Sequence, residues 1–242
     1  MRPADGLPTV GSPEPEAVRG MFTGLAPRYD LLNTLLSQGQ DRRWRRRAVQ
    51  LTRAGAGDRV LDVCTGTGAM IAPLRRRVSP GGEVIGVDLT EAMLEVARVR
   101  LPGVTFMVAD ACQLPFGDES FAAATMAFGL RNIRDRELAL GELRRVLRPG
   151  GRAVILEFSQ VHGFLRAGYA WYSRRLIPPI ARRILGEDSA YRYLTGSIAE
   201  FAPPETVSRW IREAGFQLVG EHRMTAGVVA IHVGRRPARP PS

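Results

Sequence analysis

The chain has 242 residues, 45% of them hydrophobic, enough to bury a full α/β core as one domain. Its two cysteines, Cys64 and Cys112, exclude a disulfide framework and suit a reducing compartment, and no apolar run approaches the ~20 residues of a membrane span. The formal net charge is +10 and all 34 basic residues are arginine; the clusters at Arg42, Arg43, Arg45, Arg46 and Arg47, at Arg75 to Arg77, and at Arg174, Arg175, Arg182 and Arg183 read either as attractors of nucleic acid or anionic lipid or as solvated helix faces.

Residues 1–15 are rich in Pro and Gly and read as a disordered lead. They lack the apolar segment of a signal peptide, which points to a cytoplasmic protein. Residues 16–234 read as one domain and 235–242 as a disordered tail. Residues 16–56 read as helical, with Leu31, Leu32, Leu35 and Leu36 ahead of the arginine run. Small apolar surfaces there leave a homodimer open.

From Asp58 short apolar runs alternate with amphipathic segments, the pattern of βαβ units and a parallel sheet. Strands are predicted at 59–64, 83–88, 104–108, 121–127 and 153–158. Thr90 is placed as the N-cap of a helix, with Glu91 in its first turn. A helix over 135–147 is stopped by Arg148-Pro149-Gly150-Gly151. Residues 160–200 interrupt the pattern with an aromatic, basic and apolar insertion. A helix over 204–214 leads to strands at 216–221 and 228–233, and the short link around Thr225-Ala226-Gly227 suits a hairpin. The expected fold is α/β and Rossmann-like, a mostly parallel sheet flanked by helices and ending in an antiparallel hairpin, as in the class I methyltransferases.

Chemistry concentrates at three strand ends. Asp62-Val63-Cys64-Thr65-Gly66-Thr67-Gly68 follows the first strand, and Gly66 and Gly68 let backbone approach a ligand. A pyrophosphate-binding loop would need a third glycine where Ile71 stands, so pyrophosphate binding is not supported and a ligand without phosphate stays open. Asp88 ends the second strand, where a carboxylate can accept from both ribose hydroxyls or can simply cap a helix. Asp110 follows the third strand and can accept from an adenine amine, with the Ala111 amide turned to the ring. Asp62, Gly66, Thr67, Gly68, Asp88, Asp110 and Ala111 are therefore the candidate cofactor-binding residues. No metal-ligand cluster is visible among His162, His222, His232 and the cysteines, so no metal is expected.

Several motifs make the sequence resemble the UbiE/MenG-type C-methyltransferases of ubiquinone and menaquinone biosynthesis. They are Tyr29-Asp30-Leu31-Leu32-Asn33 with Leu36-Ser37 and Trp44; Phe128-Gly129-Leu130-Arg131-Asn132; Val146 to Gly151 leading to Leu156-Glu157-Phe158-Ser159; Tyr191-Arg192-Tyr193-Leu194 with Ser197-Ile198; and Met224-Thr225-Ala226-Gly227-Val228-Val229-Ala230 with His232. The resemblance implies S-adenosylmethionine as cofactor, contacted at Thr67, Asp88, Asp110 and Ala111. It implies methyl transfer to a ring carbon of a polyprenylated quinol, demethylmenaquinol in the first place and a ubiquinone precursor in the second. Departures stand at Asp41, Thr65, Ala69 and Ala127; Asp41 leans to the menaquinone branch.

An aromatic carbon becomes nucleophilic when the neighbouring hydroxyl, pKa ~10 when free, is deprotonated, and a guanidinium favours that state. Arg131 and Asn132 are accordingly the candidate catalytic residues; the competing reading is that they only cap the helix near Asp135. Tyr29, Phe128, Tyr191 and Tyr193 are candidate substrate-binding residues, with core packing as the competing role. The 160–200 insertion reads as a cap over the acceptor that admits a prenyl tail, its basic edge able to meet the inner face of an anionic membrane. Nucleic acid is not expected as a substrate, because Met126-Ala127-Phe128-Gly129-Leu130 occupies the place of the Asn/Asp-Pro-Pro-aromatic motif of many base methyltransferases. A nicotinamide oxidoreductase is disfavoured by Ile71 and the hairpin. A repurposed enzyme on the same fold stays open, since fold alone does not fix function.

Overall fold

The computed structural model describes residues 14–26, 29–159 and 189–238. Before the sheet come α1 (Pro15–Leu25), α2 (Tyr29–Leu36) and α3 (Asp41–Leu51), so the helical N-terminal region is present as separate helices. The sheet strands are β1 (Arg59–Val63), β2 (Glu83–Asp88), β3 (Thr105–Val108), β4 (Phe121–Ala127), β5 (Leu147–Phe158), β6 (Gln217–Met224) and β7 (Val229–Arg235). They are joined through α4 (Ile71–Val78), α5 (Glu91–Arg100) and α6 (Arg136–Val146), and α7 (Ser189–Glu200) and α8 (Pro204–Glu213) precede the hairpin.

The order across the sheet is β3-β2-β1-β4-β5-β7-β6. β1 to β5 run parallel, and β7 is antiparallel to both neighbours. The expected mixed sheet with a terminal hairpin is therefore observed. The strands are apolar on both faces because helices cover both. Val60, Val84, Ala123 and Val154 pack under α3, α4 and α5 with Trp44, Ile71, Leu74 and Leu94. Their strand neighbours Leu61, Ile85, Ala124 and Ile155 turn to the other face, against Leu140 and Leu143 of α6 and Ile211 of α8. Alternation with period two thus divides each strand between two cores.

Some boundaries differ from the sequence expectation. Helix α1 starts at Pro15, so ordered chain begins inside the expected lead. β5 begins at Leu147 rather than at residue 153, and Arg148 to Gly151 bulge out between the pairs Phe121–Leu147 and Ala123–Arg152. The bulge is held because Gly150 N donates to Arg236 O and Arg236 N to Gly151 O. The expected tail is correspondingly ordered at its start: Arg235 closes β7 and the Arg236 guanidinium donates to Glu119 Oε1 at 2.8 Å. Thr90 sits at the N-cap of α5, yet its side chain makes no capping bond. Of the expected 160–200 cap, residues 160–188 lie outside the described residues; the remainder includes α7.

Candidate active site

The carboxyl ends of β3, β2, β1 and β4 open onto a cavity of about 290 Å³. Its position is where open α/β sheets bind ligands, and its size suits a small organic molecule. In sheet order its floor is Ala109 to Cys112 after β3, Asp88 to Thr90 after β2, Cys64 to Thr67 after β1, and Phe128 and Gly129 after β4. Pro15, Val18 and Phe22 of α1, Tyr29 of α2 and Arg45 of α3 complete the wall.

The glycine loop is held from beneath. Asp62 is 1% exposed, and its carboxylate accepts from Thr65 Oγ1 and Thr125 Oγ1, each at 2.6 Å. Burial pushes the Asp62 carboxyl up to about 6, against the pull of those hydroxyls and of the Arg45 charge. Asp62 does not line the cavity; the cofactor contact expected of it is replaced by support of the loop. Gly66 has φ +55° and turns its open side to the Tyr29 ring, where a Cβ would stand 4.0 Å from Cε1. Gly68 has φ +80° and packs against α5, where a Cβ would meet Leu101 Cδ1 at 2.7 Å. Its glycine serves packing, and it too lies off the cavity.

Asp88 stands at the centre. Its Oδ2 accepts from Gly66 N and its Oδ1 from Thr90 N, both at 2.9 Å. Burial raises its pKa, although these amides oppose the shift. Asp110 accepts from Cys112 N at 2.8 Å through Oδ1, and Ala111 is buried beside it. Thr67 Oγ1 donates to Asp30 Oδ1 at 2.7 Å, and Asp30 is ion-paired with Arg100. Tyr29 lines the cavity and meets Phe22 edge-on at 5.7 Å between ring centroids.

The Phe128–Asn132 turn closes the far side. Phe128 has φ +60°, a strained backbone for a bulky residue of the kind that collects at functional sites. Its ring lies 4.7 Å from Phe158, is met edge-on by Trp44 at 6.3 Å, and carries the Arg45 guanidinium 5.2 Å from its centroid. The Trp44 indole donates to Thr225 Oγ1 at 2.8 Å, which ties α3 to the hairpin turn.

Arg131 and Asn132 are separated by this turn. Asn132 lines the cavity; its Nδ2 donates to Phe128 O and its Oδ1 accepts from Tyr193 OH at 3.0 Å. Arg131 does not line it. It is 4% exposed, and its Nη1 donates to Glu157 Oε1 at 2.6 Å and to Phe128 O at 2.7 Å. The Glu157 charge on β5 draws the guanidinium behind the turn, so of the two candidate catalytic residues only Asn132 lines this cavity among the described residues. Neither residue caps α6: Asp135 does so, accepting from Leu138 N at 3.0 Å. Arg131 instead borders a second cavity of about 230 Å³ with Arg136, Tyr193, Ser197, Phe201 and Trp210. Tyr193 reaches both spaces through its bond to Asn132, and burial raises its hydroxyl pKa although Arg131 and Arg136 oppose this. Tyr191 is on the same helix, and its side chain lies outside those described.

Sequence reasoning missed the part α1 plays and the buried position of Arg45. Pro15, Val18 and Phe22 fall three and four residues apart, the spacing of one helix face, which was the available signal. Arg45 shares a stripe with Trp44, Ala48 and Val49, all buried, whereas Arg42, Arg43, Arg46 and Arg47 are exposed.

Comparison with known proteins fits this geometry. Among solved structures, the [4+2]-cyclase SpnF superposes with a TM-score of 0.69 at 18% identity, over 97% of this chain and 100% of that one. A SAM-dependent methyltransferase from Aquifex aeolicus gives 0.60 at 19%, over 79% and 88%. These likenesses establish the fold, that of the class I methyltransferases. In sequence, the demethylmenaquinone methyltransferase of Thermus thermophilus is 49% identical over 90% of this chain and 100% of its own length. The ubiquinone/menaquinone biosynthesis C-methyltransferase UbiE of Pseudomonas fluorescens is 42% identical over 93% and 91%. The profile of the ubiE/COQ5 methyltransferase family matches residues 11–236, and the chain belongs to that family of methyltransferases.

Proposed function

We propose that the protein transfers a methyl group from S-adenosylmethionine to a ring carbon of a polyprenylated quinol, with demethylmenaquinol as the acceptor. The observation that carries the cofactor reading is Asp88, a desolvated carboxylate that lines the cavity at the end of β2 and is fixed there by the Gly66 and Thr90 amides. The donor set fits a nucleoside without phosphate: Asp88 for the ribose hydroxyls, Asp110 and the Ala111 amide for adenine, and Gly66 and Thr67 along the amino-acid portion. Asp62 and Gly68 hold the loop that forms this surface. When bound, the cofactor supplies an electrophilic methyl on a sulfonium.

The chain's own contribution is alignment and exclusion of water. Tyr29 and Phe128 bound the space beside the glycine loop, so a flat ring held there meets aromatic faces. Asn132, fixed by Tyr193 and Phe128 O, presents its amide to the acceptor hydroxyl. Arg131 acts through that turn as a positioning residue. Holding the ring carbon in line with the methyl lowers the entropic part of the barrier.

The Thermus relative, at 49% identity, bears a menaquinone-branch name, and this favours demethylmenaquinol over a ubiquinone precursor. The acceptor is lipid-soluble, yet among the described residues no helix is long and apolar enough to cross a membrane. The exposed arginines of α3 supply a basic face for peripheral contact with the cytoplasmic side of an anionic membrane. Incubation with methyl-labelled cofactor and reduced demethylmenaquinol or a ubiquinol precursor tests the assignment. Label on demethylmenaquinol is expected; label on the ubiquinol precursor alone reassigns the branch, and transfer to neither, with the cofactor bound, overturns the quinol reading.

A further inference from the structure

Arg45 is a buried cation left over by the protein's own contacts. Its side chain is 9% exposed, and its Nε has no hydrogen-bond partner among the described residues. The closest carboxylate, Asp41 Oδ2, is 3.8 Å away, beyond hydrogen-bond reach, and Asp41 Oδ1 already accepts from Ser37 Oγ at 3.1 Å. Asp62 feels the Arg45 charge, but both its oxygens are engaged by Thr65 and Thr125. A desolvated guanidinium with spare donors is costly unless an anion completes it. The Arg45 side chain borders the main cavity.

Its place along the sheet identifies the anion. Asp110, Asp88, the 65–67 loop and Phe128 follow one another in the sheet order β3-β2-β1-β4. With adenine at Asp110 and ribose at Asp88, the amino-acid end of the cofactor reaches the loop and Phe128, over whose ring Arg45 sits. We propose that Arg45 binds the α-carboxylate of the cofactor's amino-acid portion. A carboxylate is planar and ionised at neutral pH, and it matches the guanidinium fork. A quinol hydroxyl is neutral until deprotonated and offers no such match. The inference rests on the cofactor reading above.

The test is calorimetric and needs no turnover. The full chain is titrated with S-adenosylhomocysteine and with its decarboxylated analogue, which keeps the nucleoside and the amine. A charge-assisted pair predicts that wild type prefers the carboxylate ligand by ~10- to 100-fold, and that Arg45→Met abolishes the preference while leaving the analogue within ~3-fold of wild type. Arg45→Lys keeps part of it, since the charge remains and the fork is lost. Because the two ligands share every other contact, their ratio is insensitive to a general loss of affinity, and Arg45→Lys carries the test if Arg45→Met does not fold. An undiminished preference in the variants overturns the proposal, as does equal binding of both ligands to wild type. If the variants bind both nucleosides as wild type does, and a separate turnover assay shows a raised KM for the quinol, the proposal is overturned and Arg45 is assigned to the acceptor. Failure of wild type to bind either nucleoside would reject the cofactor reading itself.

Discussion

Two buried arginines flank the Phe128 turn and are neutralised differently. Arg131, behind it, is hydrogen-bonded to Glu157 and to Phe128 O. Arg45, on the cavity side, has Asp41 at 3.8 Å and the face of Phe128 as its neighbours among the described residues. Both lie in motif-bearing stretches and both are nearly inaccessible. Each keeps an Nε without a partner among the described residues, so the difference lies in the carboxylate: Arg131 has one within hydrogen-bond reach, whereas that of Arg45 stands 3.8 Å away, on the cavity side where a ligand can supply another.

The largest expected effect breaks the internal pair. Glu157→Ala strands the Arg131 guanidinium and should cost ~3–5 kcal/mol by urea unfolding, whereas Arg131→Met combined with Glu157→Leu restores most of it. A single-variant loss below ~1 kcal/mol would remove the distinction between the two sides. Next comes the cavity floor: Asp88→Asn leaves one oxygen where two are used, and S-adenosylhomocysteine affinity should fall ~10- to 100-fold by titration. Tyr193→Phe deletes the bond to Asn132 that links the two cavities; a loss of ~1 kcal/mol in stability is expected, with kcat reduced more than cofactor affinity.

The smallest effect is in pH. The Asp62 carboxyl lies at about 6 in the fold against an ordinary value of 3.8. Its raised value makes the folded state the better proton binder, so its contribution to stability is complete below 3.8 and is lost as pH rises through about 6. Arg45→Met removes a charge that lowers this pKa and should move the loss to higher pH, read from unfolding midpoints across a pH series. Arg131→Met, behind the turn, should leave that window unchanged.

The strands were largely legible from sequence: β2 and β4 fall where alternation and flanking turn residues predict them. The start of β5 was not, because Pro149 and Gly150 read as a stop while Arg236, far along the chain, holds them beside β7. That Asp88, Asp110 and Gly66 meet at one cavity was legible, since strand ends carry ligands in such sheets. That Arg131 turns away from the main cavity was not legible, because its direction depends on Glu157, 26 residues further along on another strand. Arg45 was hidden in a run of arginines, and only its stripe with Trp44 and Ala48 marks it as buried.

Thr67, Asp30 and Arg100 join the glycine loop, α2 and α5 in one relay. Above it, Phe22 rests on Tyr29 and brings α1 over the cavity. The relay works as a clasp: α2, next to the helix that overhangs the cavity, is fastened to the glycine loop on its floor. A ligand held in that cavity is expected to leave faster when the clasp is weakened. Asp30→Asn, which weakens the clasp without touching Asp88 or Asp110, should speed nucleoside release in stopped-flow chase more than it slows capture, making the first helices a timing element of the catalytic cycle.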